Sequence, residues 1–248
     1  MTDPRRVIAI TGAGGTLGAA LSSRFANEPD TDVVLSDVSA PSLEATVDGL
    51  PEDAGSVETL LADVSDFAQV EAVVGLAVQQ FGRLDVLISN AGVLSPNGRI
   101  HNLATEDWER AFQVNVLGAV NGIRAAVPVM RKHQSGSIVL TASVSGLTAW
   151  SHAAPYCATK AAVIQLAKVA AVEYARDGIR VNCVCPGTFL SAIHEDLPQE
   201  ALDAIAAKHP LGLGAAADLV GAYSYLASHA SRWTTGSAIV VDGGYAAP

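Results

Sequence analysis

The amino-acid sequence predicts an α/β fold in which a doubly wound parallel sheet forms the middle of three layers, with helices on both faces. Seven short apolar runs alternate with helical patterns along almost the whole chain. These runs are continuously apolar rather than alternating, as expected for parallel strands that are buried on both faces. Because ligands of such sheets bind at the carboxyl ends of the strands, we expect the functional residues at that edge.

The predicted elements follow one another without a dividing linker or an internal repeat. The strands span Arg6–Thr11, Asp32–Asp37, Val57–Ala62, Leu84–Ser89, Gly136–Ala142, Ile179–Val184 and Ser237–Val241. The helices span Leu17–Asn27, Asp66–Phe81, Glu106–His133, Ala154–Arg176 and Ala215–Ser228. The stretch 188–213 has no strand pattern and contains Pro198, Pro210 and a weak helix, so we expect it to cover the substrate as a lid. We predict one domain over residues 1–248.

Composition and charge argue against several classes of protein. The 248 residues are 50% hydrophobic and 16% charged, which is too apolar for a disordered chain. A net charge of −10 opposes nucleic-acid phosphates, so no nucleic-acid partner is expected. No uncharged apolar run reaches the roughly 18 residues of a membrane span. The three cysteines lack metal-ligand spacing and indicate a reduced, cytoplasmic protein with no metal site.

A glycine-rich segment, Thr11-Gly12-Ala13-Gly14-Gly15-Thr16-Leu17-Gly18, follows the first predicted strand and opens a helix. Glycines let the backbone turn sharply, and a helix N-terminus favours the negative charge of a pyrophosphate. An ordinary strand–helix turn would also be rich in glycine, but the position in the first βαβ unit favours dinucleotide binding. We predict cofactor contacts from Gly12, Gly15, Thr16, Leu17 and Gly18.

The second predicted strand ends at Asp37, about 20 residues beyond the glycine loop, where a dinucleotide fold places its ribose-binding acid. A carboxylate there accepts hydrogen bonds from the adenosine ribose hydroxyls and repels a 2′-phosphate. No lysine or arginine lies in the glycine loop or directly after Asp37. The alternative interpretation of Asp37 is a helix or turn cap. In this context the carboxylate favours NAD over NADP.

Tyr156 and Lys160 lie four residues apart, on one face of a predicted helix. An exposed pair of this kind is commonplace, but alanine and apolar residues surround this one. An ammonium beside a tyrosine favours the phenolate and lowers the phenol pKa from about 10. We therefore expect Tyr156 to exchange a proton with an alcohol or carbonyl oxygen near neutral pH.

With these motifs the chain resembles the short-chain dehydrogenase/reductase family, in its compact single-domain branch. The resemblance covers essentially all residues and implies a Rossmann fold with a seven-stranded parallel sheet. One departure is Thr16, because the compact branch usually has glycine at that position. The resemblance rests on the order and spacing of several motifs, namely the glycine loop, Asp63-Val64, Asn90-Ala91-Gly92, Asn115, Ser143, Tyr156 with Lys160, Asn182 through Pro186-Gly187, and Val241-Asp242-Gly243-Gly244.

The resemblance implies a catalytic set of four residues. Tyr156 is the general acid and base, and Ser143 binds the substrate oxygen beside it. Lys160 holds the nicotinamide ribose and lowers the tyrosine pKa, helped by the charge of oxidised nicotinamide. Asn115 bends its helix and positions a water in a proton relay from Lys160. Cofactor contacts are implied for Tyr156 and Lys160 and for Asp63, Val64, Asn90, Ala91, Gly92, Pro186, Gly187 and Thr188.

The predicted function is hydride transfer between NAD(H) and a secondary alcohol or ketone, with a hydrophobic or cyclic small-molecule substrate. Trp150 and Phe189 are candidate walls of an apolar pocket, or ordinary packing residues. His152 and His194 are either pocket residues or polar surface residues.

Three other functions compete with this prediction. One is a 3-oxoacyl thioester reductase that uses NADPH, against which Asp37 counts. Another is a dinucleotide-binding regulator without catalysis, which has no chemical need for the complete catalytic set. Enoyl reductases of the family use a wider tyrosine–lysine spacing, which disfavours that reaction.

Two of the predicted helices, Glu106–His133 and Ala154–Arg176, carry apolar or small residues on more than one face. A helix of this kind must be covered on both sides. In the family these two helices pair between subunits, and the C-terminal strand region makes a second contact. The resemblance therefore implies a homotetramer.

Overall fold

The computed structural model describes residues 5–52, 54–191 and 198–247. Within these ranges seven parallel strands form one sheet, in the order β3-β2-β1-β4-β5-β6-β7. The strands are β1 (Arg6–Thr11), β2 (Thr31–Asp37), β3 (Val57–Leu61), β4 (Val86–Ser89), β5 (Gly136–Thr141), β6 (Ile179–Pro186) and β7 (Ala238–Val241). The predicted strands are all present, and the three-layer doubly wound Rossmann fold with a seven-stranded parallel sheet is confirmed.

Helices connect the strands and cover both faces of the sheet. They are α1 (Thr16–Ala26), α2 (Ala40–Asp48), α3 (Phe67–Phe81), α4 (Thr105–Phe112), α5 (Gly118–His133), α6 (Ala154–Tyr174), α7 (Gln199–Ala206) and α8 (Ala216–Ala227). Among the described residues, no helix is both long and apolar enough to cross a membrane.

Two helical predictions are corrected by the structure. The sequence pattern did not predict α2, a nine-residue helix whose first turn is capped by the Ser39 hydroxyl, which accepts a hydrogen bond from Ser42 N–H at 3.4 Å. The single helix predicted over Glu106–His133 is divided, because a π-helical turn at Gln113–Leu117 separates α4 from α5. Such a turn inserts an extra residue into the helical repeat, and Asn115 lies within it.

Each face of the sheet has its own apolar core. Alternate residues of β1 divide between them, with Val7 and Ala9 packed on one side and Ile8 and Ile10 on the other. The first core is completed by α3, α5 and α6, and the second by α1, α2 and α8. Because every strand contributes apolar side chains to both cores, the strands read as continuous apolar runs.

The strand order reverses at β1, which lies between β2 and β4. The connections from β1 and β4 therefore leave the sheet in opposite directions, and the loops that follow these two strands diverge. A cleft opens between diverging loops at the carboxyl edge of such a sheet. The predicted glycine loop and Asn90-Ala91-Gly92 are the two loops that border this cleft.

The predicted lid segment 188–213 is described except for residues 192–197, which include His194. Its described part contains α7, which begins directly after Pro198. Leu190 N–H donates to the Gly214 carbonyl at 2.9 Å, so the two ends of the segment lie side by side near the end of β6.

Candidate active site

Two adjoining cavities occupy the cleft, with volumes of about 580 Å³ and 210 Å³. They share four lining residues, Leu17, Asn90, Gly92 and Val93. The larger one is also lined by the predicted residues Ser143, Tyr156, Lys160, Pro186, Gly187 and Thr188. The smaller one is also lined by Gly12, Gly15, Gly18, Asp37, Asp63, Val64 and Ala91. The fold thus brings most of the predicted site residues into one continuous groove.

The glycine loop packs too tightly for side chains at three of its positions, Gly12, Gly14 and Gly18. Gly12 has a φ of +67°, and a Cβ there would stand 2.7 Å from Ala91 Cα. A Cβ at Gly18 would stand 2.0 Å from the Gly12 carbonyl oxygen. Gly15 precedes α1, and no side chain caps this helix N-terminus, which borders the smaller cavity. Thr16 is the first residue of α1; it is exposed and lines neither cavity.

Asp37 lines the smaller cavity and also braces the loops around it. One carboxylate oxygen accepts a hydrogen bond from Gly14 N–H at 2.9 Å, and the other accepts from Ser39 N–H at 2.9 Å. The carboxylate therefore does act as a turn cap, as the alternative interpretation supposed. A carboxylate has about four acceptor positions, so these two bonds leave capacity for a ligand hydroxyl.

Asp63 and Val64 lie in the smaller cavity together with Arg110, a cation that sequence reasoning missed. The pKa of Asp63 is lowered, mainly by hydrogen bonds from the Ser65 hydroxyl and backbone N–H and also by the charge of Arg110. The Val64 carbonyl accepts a hydrogen bond from the side chain of Asn121 at 2.9 Å, which anchors this loop to α5.

Asn90 is fixed by the strand ends on both sides of it. Its backbone N–H donates to the Thr11 hydroxyl at 3.1 Å, and its side-chain amide donates to the Gly12 carbonyl at 3.1 Å. The Thr141 hydroxyl donates to its Oδ1 at 3.2 Å. Asn90 therefore forms a rigid wall common to the two cavities.

Lys160 is buried beside the larger cavity, with 3% of its surface exposed. Its ammonium donates to the Thr141 carbonyl at 2.8 Å and lies 5.7 Å from the centroid of the Tyr156 ring. Among the described residues, Lys160 takes part in none of the ion pairs. Burial therefore dominates and lowers the pKa of Lys160 to about 8.

Tyr156 and Ser143 face the same cavity as Lys160. Burial raises the pKa of the Tyr156 phenol above its ordinary value, while the Ser143 side chain acts in the opposite direction. The expectation that Lys160, helped by the charge of oxidised nicotinamide, lowers this pKa concerns the protein with its cofactor bound and stays a prediction. The Ser143 hydroxyl accepts from Ser145 N–H at 3.1 Å, which leaves its hydrogen available to donate.

Asn115 lies behind the groove and lines neither cavity. Its Oδ1 accepts from Val93 N–H at 2.8 Å, and its amide donates to the Val93 carbonyl and to the Thr159 hydroxyl, each at 3.0 Å. Both amide hydrogens are therefore used to join the loop after β4 to α6. This side chain fixes the position of the helix that carries Tyr156.

The larger cavity has an aromatic wall that was only partly foreseen. Trp150 and Phe189 line it, as the sequence suggested, whereas His152 is exposed and does not. Tyr245 and His209 also line it and were not predicted. A signal for Tyr245 was present, since it follows the Asp242-Gly243-Gly244 turn at the carboxyl end of the last strand, the edge where ligands bind.

Comparison with known proteins agrees with this geometry. Residues 12–246 match a family model described as enoyl-(acyl carrier protein) reductase. The chain is 37% identical to the 3-oxoacyl-(acyl-carrier-protein) reductase FabG of Thermotoga maritima, over 96% of this chain and 97% of that one. It is also 37% identical to the meso-2,3-butanediol dehydrogenase of Serratia marcescens, over 98% and 96% of the two chains.

The crystal structure of levodione reductase superposes on this structure with a TM-score of 0.91 and 32% sequence identity, covering 98% of both chains. These relatives are oxidoreductases by name, and the match of the family model spans nearly the whole chain. The protein is thus an oxidoreductase, and the chain belongs to the short-chain dehydrogenase/reductase family.

Proposed function

We propose that the protein is an NAD-dependent dehydrogenase that interconverts a hydrophobic or cyclic secondary alcohol and its ketone. The observation that carries the proposal is the groove itself, in which Ser143 and Tyr156 meet the buried Lys160 while Asp37 lines the adjoining cavity. The similarity to proteins named as a diol dehydrogenase and a dione reductase supports this class of substrate.

The residues of the groove fit a dinucleotide. No side chain caps the N-terminus of α1, which borders the smaller cavity beside Gly15, and the positive end of a helix dipole favours a pyrophosphate. Gly12, Leu17 and Gly18, which line the smaller cavity, would hold the phosphates, and Asp37 would bind the adenosine ribose. Asp63 and Val64 would contact the adenine, and the residues at the end of β6 and directly after it, Pro186, Gly187 and Thr188, would flank the nicotinamide. When bound, the cofactor accepts or supplies the hydride.

The chain's own residues supply the proton and hold the reacting oxygen. Burial keeps the Tyr156 phenol protonated at neutral pH, so it donates its proton to the carbonyl oxygen during reduction. The Ser143 hydroxyl donates a second hydrogen bond to the same oxygen as charge develops there. Lys160 commits one hydrogen to the Thr141 carbonyl, and its charge stabilises the phenolate that remains. Its other hydrogens are available to the cofactor ribose and to a proton relay, and Asn115 anchors the helix that carries both groups.

The 3-oxoacyl thioester reductase that uses NADPH remains the second candidate, and the similarity to the Thermotoga maritima enzyme favours it. Two observations count against it. Asp37, the acid at the end of β2, lines the smaller cavity, where its charge repels a 2′-phosphate. Arg110 also lines that cavity, but its charge interacts with Asp63. A regulator without catalysis would gain nothing from burying the ammonium of Lys160, because that burial disfavours the charged form.

We propose in addition that the protein is a cytoplasmic homotetramer. The three cysteines are free thiols, which suits a reducing compartment. Helix α6 exposes Val172, at 82%, and Val169, at 45%, on the face turned away from the sheet. Close to the edge strand β7, Trp233 is 98% exposed and Val240 is 42% exposed. These two apolar regions coincide with the surfaces that pair in the family.

Sedimentation at micromolar concentration should give a mass near four times 25.4 kDa. Val172→Asp places a charge in the proposed helix interface and should produce smaller species, since an unpaired charge is costly to bury. Leu61→Asp, at a 52% exposed position on the opposite edge strand, should leave the assembly unchanged. A monomeric wild type would contradict the proposal.

Tyr156→Phe should lower turnover by roughly 10²- to 10⁴-fold, the usual contribution of a positioned acid or base. Binding of NADH should be unchanged, because the ring stays in place. Steady-state rates and a fluorescence titration with NADH measure the two effects. Tyr225→Phe, on α8 outside both cavities, is the matched control, and undiminished turnover in Tyr156→Phe would contradict the mechanism.

Lys160→Met should abolish turnover and stabilise the protein at pH 7. The pKa of Lys160 falls from 10.5 in the unfolded chain to about 8, so the native state disfavours the charged form. One pKa unit corresponds to about 1.36 kcal/mol, so removing the buried ammonium should raise the free energy of unfolding at pH 7 by up to about 3 kcal/mol. Loss of the hydrogen bond to the Thr141 carbonyl should subtract about 1 kcal/mol from this gain.

The pH dependence of this stability difference follows from proton binding to Lys160. Between pH 8 and 10.5 the unfolded state retains the lysine proton that the native state has lost, so wild-type stability rises with pH through this window. The advantage of the methionine variant should therefore shrink toward pH 10.5. Urea denaturation at both ends of the window tests this, and a variant that is less stable than wild type at pH 7 would contradict it.

Asp37→Asn should raise kcat/KM with NADP by about tenfold or more while lowering kcat/KM with NAD. Two like charges about 5 Å apart repel by roughly 3 kcal/mol at an effective dielectric constant near 20, and the amide removes this repulsion while keeping an acceptor oxygen. Rates with both cofactors give the ratio. A wild type that prefers NADP would overturn the assignment of NAD.

A further inference from the structure

Three aromatic rings line the larger cavity in a row. The centroid of the Trp150 ring lies 6.2 Å from that of Tyr156 and 6.3 Å from that of Tyr245. The planes of Trp150 and Tyr245 are inclined at 78°, so these two rings form an open corner rather than a closed stack. The corner begins directly beside the phenol to which the proposed function assigns the proton transfer.

Tyr245 is held in this corner by a hydrogen-bonded turn. The Asp242 carboxylate accepts from Gly244 N–H at 2.9 Å and from Ala246 N–H at 2.7 Å, which fixes the backbone on both sides of the tyrosine. Gly244 has a φ of +89°, a conformation that glycine adopts without strain. The turn therefore presents Tyr245 to the cavity with little freedom.

His209 supports the Tyr245 ring from behind. The two ring centroids are 4.8 Å apart, and the planes are inclined at 32°. His209 is 4% exposed; its Nε2 accepts from Thr188 N–H at 3.2 Å, so Nδ1 carries the hydrogen and donates to the Ile205 carbonyl at 3.0 Å. The aromatic wall is thereby tied both to α7 and to the loop after β6.

We propose that Trp150 and Tyr245 form a subsite for a ring-bearing substrate, and that Tyr245 determines the preference for cyclic over open-chain ketones. The inference rests on the proposed function and names its substrate class. Two rigid rings set at an angle offer a large apolar contact area at a low entropic cost. A cyclic ketone has no free torsions to lose on entering the corner, whereas an open chain of equal size must be immobilised.

The test compares cyclohexanone with 2-hexanone, which have the same number of carbon atoms, in the wild type and in Tyr245→Ala and Tyr245→Phe. Loss of the ring should lower kcat/KM for cyclohexanone by roughly tenfold and for 2-hexanone by less than about threefold. Tyr245→Phe keeps the ring and should restore the preference. Tyr225→Ala removes a tyrosine outside the cavity and serves as the matched control.

An equal loss for both ketones, or no loss for either, would overturn the subsite while leaving the proposed function intact. If the wild type turns over neither ketone, the proposed function fails for these substrates. The subsite is then decided by saturation-transfer NMR of cyclohexanone with the same proteins. A signal that disappears in Tyr245→Ala and returns in Tyr245→Phe supports it, and equal signals in all of them refute it.

Discussion

The groove depends on a line of hydrogen bonds that crosses the carboxyl ends of three neighbouring strands. The Thr141 hydroxyl has a single hydrogen and donates it to Asn90, so the Tyr223 phenol, 2.8 Å away, must be the donor to Thr141. Asn90 in turn donates to the Gly12 carbonyl. Every bond therefore points the same way, and the line requires Tyr223 to stay protonated. Full burial raises the pKa of Tyr223 and ensures this, so the spacing between the glycine loop and the Tyr156 side of the cleft is set by a buried polar chain.

Much of the fold was predictable because buried parallel strands are apolar throughout, and the residues after them fall at one edge by topology. Local sequence patterns do not predict features that depend on how the folded chain packs around a residue. The π-helical turn at Gln113–Leu117 has no periodic signature, and α2 is too short to show one. The pKa of Tyr156 depends on how much water the fold removes. Arg110 reaches the smaller cavity from a part of the chain without a site motif, so motif spacing could not identify it, whereas Tyr245 could be inferred from its place after the last strand.

Stability and chemistry oppose one another at Lys160. Its ammonium is buried against a neutral carbonyl rather than a carboxylate, although the chain carries a net charge of −10. A carboxylate partner would offset the desolvation and raise the lysine pKa, but it would also weaken the lysine's effect on the neighbouring phenolate. The neutral Thr141 carbonyl holds the side chain without cancelling its charge. The negative net charge of the protein therefore does not determine the electrostatic field inside the groove, which is set by a few buried groups.

The π-helical turn before α5 has a consequence for how the sequence tolerates length changes. The turn holds one residue more than an α-helical turn would, so deleting one residue within Gln113–Leu117 would close it to an ordinary α-helical turn. The face of α5 would then be unchanged, and Gly118 and Asn121 would keep their contacts with Val64. The loss would fall on Asn115, whose side chain joins Val93 to Thr159 from within the turn. An alignment or a chimera across this turn can therefore preserve the register of α5 and still displace the residue that positions α6.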